Sequence, residues 1–197
     1  MKIRDLLIWT LMLMMGGSIY AQQRLEMDER DGFSWVKVMG EGQRVGALDS
    51  DDSILVPMDY CYVQYAKGLL IADSCADDQV VGEAAYDVFG DCIIPASRGY
   101  LKIRPVEKDG ARYLLVRTRM DDHNYWAVCD VFGNEVISPA MYSDLMESPY
   151  GTFYYTDKGF AVKYNKKYTY LHIYIDEEGR MYQKKNKEIV YLIEYED

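Results

Sequence analysis

The stretch CDVFGNEVISP, Cys129 to Pro139, repeats a pattern that the chain already carries as YDVFGDCIIP, Tyr86 to Pro95. In both copies Asp-Val-Phe-Gly precedes an apolar run and a proline. Asp starts a turn because its side chain can bond the backbone two residues further on. Gly three positions later adopts a positive φ without steric cost. Proline has no amide hydrogen and therefore ends the second strand. The pattern predicts a β-hairpin around each Asp-x-x-Gly turn.

Two further copies extend the pattern into a repeat. The segment VGALDSDDSILVP, Val45 to Pro57, has its turn at Asp49, with Asp52 in the Gly position. The segment HIYIDEEGRMY, His172 to Tyr182, has its turn at Asp176 and Gly179, and no proline follows. The anchors Asp49, Asp87, Asp130 and Asp176 are 38, 43 and 46 residues apart. This spacing predicts about four units of roughly 40 residues each.

Additional hairpin turns lie between these anchors. They are expected at Ala66-Lys67-Gly68, at Asp109-Gly110, at Asp157-Lys158-Gly159 and near Asn165-Lys166. The flanking residues are rich in Tyr, Val and Ile, as strands prefer, and residues 140–146 are the best candidate for a short helix. Residues 22–197 are therefore predicted to form a single all-β domain of tandem antiparallel hairpin repeats. An open β array and a small propeller-like arrangement both fit this period.

The first 21 residues have the layout of a secretory signal peptide. Lys2 and Arg4 precede the ten-residue stretch from Leu6 to Met15, which is apolar except for Thr10, and Ala21 offers a small residue for cleavage. A spanning helix needs about 20 apolar residues, and no other segment approaches that length. We expect an exported protein, periplasmic or outer-surface and secreted, with no integral membrane segment after the signal is removed.

The charge of the chain restricts the classes of partner, and its cysteines allow disulfides. The net charge of −10 disfavours nucleic acid and anionic lipid as partners, and acidity of this size serves solubility. Four cysteines, Cys61, Cys75, Cys92 and Cys129, allow three disulfide pairings in an oxidising compartment. Each of them lies in a strand-like stretch, so free buried thiols fit the sequence equally well.

The repeat resembles the WG-repeat (KWG-repeat) family of exported bacterial β-proteins. The resemblance covers residues 44 to about 180. It rests on the Asp, Gly and Pro positions and on the segments PMDY at Pro57 and PAMYSDL at Pro139. The namesake Trp-Gly pair is never complete, because Gly46 follows Val45 and Trp126 precedes Ala127. The resemblance implies a repeat array in surface or secreted proteins that mediates interaction, and it supplies no catalytic residue.

The sequence points to no catalytic residue, no metal site and no cofactor. Aromatic side chains at Trp35, Trp126, Tyr154 and Tyr155 are the candidate binding residues, because such rings stack on sugars or anchor a partner. Core packing is the alternative use, above all for Trp126, which fills a repeat position. The preferred function is therefore non-catalytic binding of an unidentified protein or surface glycan.

Two alternatives stay open. One is an envelope hydrolase with its site on an inter-repeat loop at Arg119 to Tyr125, where Asp122 and His123 would provide acid–base groups. The other is a calcium-stabilised structural module, since DSDDS at Asp49 to Ser53 resembles the start of a calcium loop but lacks the later bidentate Glu.

Overall fold

The structure, a computed structural model, describes residues 23–30, 32–108, 110–120, 123–138, 153–164 and 167–195. For residues 23–30, 123, 153, 154, 163, 164 and 167 the description covers the backbone only. Within these ranges the chain forms β-strands joined by tight turns, with two three-residue 3₁₀ turns and no α-helix. The all-β prediction is confirmed.

The first sheet contains four antiparallel strands in chain order. They are β1 (Gln23–Arg30), β2 (Phe33–Met39), β3 (Val45–Leu48) and β4 (Ile54–Tyr60). The turn at Asp49 joins β3 to β4, as the repeat pattern predicts. The prediction that proline ends the second strand is wrong at Pro57, because β4 continues through it to Tyr60; β4 is an edge strand of this sheet, where a missing N–H is tolerated.

The second and third sheets repeat the same order of four antiparallel strands. The second holds β5 (Tyr62–Ala66), β6 (Leu69–Ala76), β7 (Gln79–Tyr86) and β8 (Cys92–Ile94). The third holds β9 (Lys102–Lys108), β10 (Ala111–Met120), β11 (His123–Cys129) and β12 (Glu135–Ile137). In both sheets the Asp turn joins the third strand to the short fourth strand. These are the hairpins that the Asp-x-x-Gly pattern predicts.

The fourth unit is divided between two three-stranded sheets. One holds β13 (Phe153–Thr156), β14 (Gly159–Tyr164) and β15 (Lys167–Tyr170), and the other holds β16 (Ile173–Ile175), β17 (Met181–Lys185) and β18 (Glu188–Tyr191). His172 separates β15 from β16 with a positive φ of 55°. The amide of Leu171, between β15 and β16, still bonds the carbonyl of Phe160 on β14 at 2.8 Å. The link between the two strands therefore stays hydrogen-bonded to β14.

Three hydrophobic cores connect the sheets in chain order. The first core joins the first and second sheets through Trp35, Leu55, Leu70 and their neighbours. The second joins the second and third sheets through residues such as Ile94, Ile103 and Val116. The third joins the third sheet to the last two through Trp126, Phe160, Met181 and others. Among the described residues no core cluster combines the first sheet with the last, and no sheet closes on itself.

A buried carboxylate connects the second and third sheets. Glu83 on β7 is 1% exposed, and it accepts hydrogen bonds from the ammonium of Lys102 and from the amide of Ile103. The amide of Glu83 also donates to the carbonyl of Tyr100 at 2.7 Å. Asp73 on β6 pairs directly with Glu83 across the strands. Burial raises the pKa of both carboxyl groups, although Lys102 opposes the increase.

Three sequence predictions fall outside the described residues, and one of them is the hairpin turn near Asn165-Lys166. The other two are the signal peptide over residues 1–21 and the short helix over residues 140–146. Among the residues described, no helix has the length and apolar character needed to cross a membrane.

Candidate binding site

Four Asp turns have the same internal hydrogen bonds. They span residues 49–53, 87–91, 130–134 and 176–180. In each turn Oδ1 of the Asp accepts the amides two and four positions later, at donor–acceptor distances between 2.8 and 3.1 Å. The Asp amide also bonds the carbonyl four residues later, and the amide at the fourth position bonds the Asp carbonyl. The four Asp residues therefore have one structural role.

The fourth position of each turn has a left-handed backbone. Its φ is 64° at Asp52, 93° at Gly90, 84° at Gly133 and 87° at Gly179. Glycine adopts this region freely, and Asp is among the few other residues that tolerate it. This explains why the first copy forms without glycine.

The turns pack along one edge of the array. A Cβ on Gly90 would lie 3.0 Å from the carbonyl oxygen of Ile54, which follows the first turn. A Cβ on Gly133 would lie 2.5 Å from the carbonyl oxygen of Ile93, which follows the second. A Cβ on Gly179 would contact Val131 of the third turn at 2.6 Å. We call this row of four turns the turn edge.

Phenylalanine occupies the third position of two turns on this edge. Phe89 is 84% exposed and Phe132 is 49% exposed, while the equivalent positions of the other turns hold Asp51 and Glu178. The hydrogen bonds are the same with all of these side chains, so the turn itself does not require an aromatic ring. Ile54, directly after the first turn, adds a side chain that is 62% exposed.

The C-terminal segment covers the third turn. The hydroxyl of Tyr195 donates to Oδ2 of Asp130 at 2.8 Å, and its ring centroid lies 5.5 Å from that of Phe132. The same hydroxyl accepts the amide of Met181 at 2.9 Å. Burial raises the pKa of Tyr195 to about 12, and the hydrogen bond to Asp130 adds to the increase. A tyrosine thus contacts both the aromatic ring of one Asp turn and Oδ2 of its Asp.

The fourth turn binds a second tyrosine hydroxyl. Tyr191 donates to Oδ2 of Asp176 at 3.1 Å, and the guanidinium of Arg180 donates to the same oxygen at 2.8 Å. Burial acts to raise the pKa of Asp176, but the hydrogen bonds from the backbone and side chain of Arg180 outweigh it and lower the pKa. Oδ2 of an Asp turn is therefore an acceptor that this fold uses repeatedly.

The structure places the four predicted binding residues in different environments. Trp35 is 3% exposed in the first core and Trp126 is 7% exposed in the third core, so both indole rings pack inside the array. The side chain of Tyr154 lies outside the description. Tyr155 is half-buried, with its ring edge-on to Phe160 at 5.0 Å and its hydroxyl accepting the amide of Ile175 at 2.8 Å.

Tyr155 borders an open cleft. The cleft has a volume of about 420 Å³ and lies between the β9–β10 turn and the last sheet, where Ala111, Glu177 and Tyr182 also line it. Burial raises the pKa of the Tyr155 hydroxyl. Of the predicted binding residues with a described side chain, Tyr155 is the one that faces such a space.

Sequence reasoning did not single out Phe89, Phe132 or Tyr195. The signal for the two phenylalanines was present, because both Asp-Val-Phe-Gly copies place an apolar ring where the turn chemistry requires only Asp and Gly. No comparable signal marks Tyr195, which reaches Asp130 from 65 residues away in the chain.

The cysteines form one disulfide. Cys61 is bonded to Cys75, while Cys92 is an exposed thiol and Cys129 a buried one. Burial raises the pKa of the Cys129 thiol to about 12. The structure therefore combines the two possibilities that the sequence left open, because one pair of cysteines is bonded and the other two remain thiols, of which only Cys129 is buried.

The residues of the two alternative functions are only partly described. Asp122 lies outside the described residues, as does the side chain of His123. Oδ1 of Asp49 accepts the amides of Asp51 and Ser53, so this carboxylate has a role in the turn. In the part of the chain that the structure describes, no group of three or more His, Cys, Asp or Glu side chains is placed to hold a metal ion.

The fold and this edge define the chain as an all-β array of antiparallel hairpin units. Comparisons of the chain with models of protein families, with curated proteins and with solved structures find no match. The resemblance to WG repeats therefore stays a prediction that rests on the sequence motifs.

Proposed function

We propose that the chain is an exported, non-catalytic β-repeat protein that binds a partner protein or a cell-surface polymer through its turn edge. The observation that carries this proposal is the 84% exposure of Phe89 at a turn position where Asp or Glu serves equally well. An exposed phenylalanine gains nothing from folding, and phenylalanine is among the residue types that are enriched at protein interfaces.

Export is the second part of the proposal. The disulfide between Cys61 and Cys75 supports it, because disulfides persist in oxidising compartments outside the cytosol. The layout of residues 1–21 and the resemblance to WG repeats support it as well. The periplasm and the cell exterior both meet this requirement.

A capture experiment tests the binding function. The purified protein is immobilised and exposed separately to envelope extract and to insoluble cell-wall polymer. The same is done with Phe89→Asp, which installs the residue type that the first turn carries at this position. Val81→Ser is the matched control, because Val81 is 49% exposed on β7 and lies away from the turn. We expect a retained component that Phe89→Asp loses and Val81→Ser keeps. Equal retention by all three proteins, or by none, would contradict the proposal.

The hydrolase and calcium alternatives remain predictions from the sequence. Joint substitution of Asp122 and His123 tests the first, provided that a substrate screen finds an activity. Thermal melts with calcium and with a chelator test the second, since specific binding raises the melting temperature.

A further inference from the structure

The second and third Asp turns have the same sequence and the same hydrogen bonds but differ in what covers them. Both read Asp-Val-Phe-Gly. On the third turn Tyr195 packs on Phe132 and donates to Oδ2 of Asp130. On the second turn Phe89 is 84% exposed, and Oδ2 of Asp87 has no hydrogen-bond partner among the described residues. The second turn therefore presents the surface that a tyrosine occupies on its neighbour.

From this difference we infer that the second turn binds a tyrosine side chain of a partner protein in the way the third turn binds Tyr195. The inference rests on the proposed function and specifies its partner. The tyrosine ring would pack on Phe89, and its hydroxyl would donate to Oδ2 of Asp87. The two contacts require an aromatic ring and a hydrogen-bond donor at its far end. The phenol side chain of tyrosine provides both.

The residue after the glycine indicates the charge of the partner segment. Asn134 in the third turn donates an amide hydrogen to Oδ2 of Asp130 at 3.0 Å. The second turn has Asp91 at this position, and its exposed side-chain carboxylate has no hydrogen to donate to Oδ2 of Asp87. The carboxylates of Asp87 and Asp91 together favour a tyrosine flanked by Lys or Arg.

The same charges argue against a second copy of this chain as the occupant. Tyr195 is flanked by Glu194 and Glu196, so the tail of a second molecule would bring like charge to Asp91. A partner segment with basic residues beside its tyrosine meets the turn without that repulsion.

A peptide titration tests this site. The probe is acetyl-Gly-Lys-Tyr-Lys-Gly-amide, added to the isotope-labelled protein while amide resonances are followed by NMR. Two matched peptides replace Tyr with Phe, which removes the hydroxyl, or with Leu, which removes the ring. We expect the Tyr peptide to shift the amides of Phe89, Gly90 and Asp91. We also expect it to bind roughly tenfold more tightly than the Leu peptide, with the Phe peptide between them.

Two variants separate the contacts without removing the turn. Asp87→Asn keeps the Oδ1 acceptor that closes the turn and replaces the carboxylate oxygen that receives the phenol. Phe89→Asp removes the ring and keeps the backbone. Each is expected to lower the affinity for the Tyr peptide by at least about fivefold, while Val81→Ser leaves this affinity unchanged. The amide pattern of the free variants shows whether the turn is retained.

Several results would overturn the inference. They are equal binding of the three peptides, unchanged binding to Phe89→Asp, and the absence of shifts in the second turn. Self-association that Phe89→Asp abolishes, without peptide binding, would assign the surface to a second copy instead. If the titration fails while the capture experiment succeeds, the tyrosine site is wrong and the binding function stands. If capture also fails, both are wrong.

Discussion

The carbonyl oxygen of Ile93 lies 2.5 Å from the position that a Cβ atom would take on Gly133. Ile93 belongs to β8 of the second sheet, and Gly133 belongs to the turn between β11 and β12 of the third sheet. The backbones of the second and third units therefore approach so closely at the turn edge that no side chain fits between them. This contact fixes one sheet against the next.

Gly133→Ala should destabilise the array more than Gly68→Ala does. Both residues have positive φ values, 84° and 83°, so both substitutions cost about 1 kcal/mol from backbone strain. A Cβ on Gly68 meets nothing within 4 Å, whereas a Cβ on Gly133 forces the second sheet to move. We expect Gly133→Ala to cost about 2 kcal/mol more in urea unfolding. Equal costs would show that the third turn does not pack on β8.

Asp130→Ala should lower the free energy of unfolding more than Asp49→Ala does. Both carboxylates accept two backbone amides, but Asp130 is fully buried and also accepts from Asn134 and Tyr195. Asp49 accepts the amides of Asp51 and Ser53 at an exposed turn. At about 1 kcal/mol for each net hydrogen bond, the difference in the free energy of unfolding should be about 2 kcal/mol. Denaturant titration of the two variants measures it, and a larger cost at Asp49 would contradict the assignment.

The contribution of Glu83 to the free energy of unfolding should depend on pH. Burial raises the pKa of Glu83 above its ordinary 4.5, so the folded protein favours the protonated carboxyl. The stabilisation of the folded protein that comes from protonated Glu83 is fully present below pH 4.5. It is lost as the pH rises through the higher pKa of the folded state. Relative to wild type, Glu83→Gln should therefore become more stable as the pH rises from 4.5 to 7.5. Urea unfolding across this range tests it, and a constant difference between the two proteins would count against a raised pKa.

Thiol labelling should distinguish the cysteines. At pH 8 the native protein should react rapidly at Cys92, which is exposed, and slowly at Cys129, whose buried thiol has its pKa raised to about 12. Cys92→Ser should remove the rapid phase, and Cys129→Ser should leave it intact. In denaturant without reductant two thiols should react, because Cys61 and Cys75 are bonded. Four reactive thiols would contradict the disulfide.

The hairpins were predictable because the residues that determine each turn are close together in the sequence. An Asp that bonds the amides two and four positions later, and a residue with positive φ at the fourth position, define each turn within five residues. The same reasoning located the β5–β6 turn at Lys67 and Gly68, both with positive φ. Four copies at similar spacing were therefore sufficient to predict an all-β repeat.

Contacts between distant residues were not predictable in this way. The pairing of Cys61 with Cys75 depends on how β5 and β6 align, and the contact of Tyr195 with Asp130 joins residues from different units. Glu83 occupies the repeat position that holds Trp126 in the third unit. Its burial depends on Lys102 of the neighbouring sheet. Trp35 and Trp126 illustrate the same limit, because a strand pattern does not tell which rings the next sheet covers.

Amide-resolved NMR of the purified protein tests the central claim most directly, which is that four equivalent Asp turns stack along one edge of a β array. The claim predicts slow hydrogen exchange at the amides of Ser53, Asp91, Asn134 and Arg180, each bonded to an Asp Oδ1. It also predicts proton–proton contacts from Gly90 to Leu55 and from Gly133 to Ile94. Fast exchange at these amides, or turns that contact residues other than those of the preceding unit, would contradict the claim.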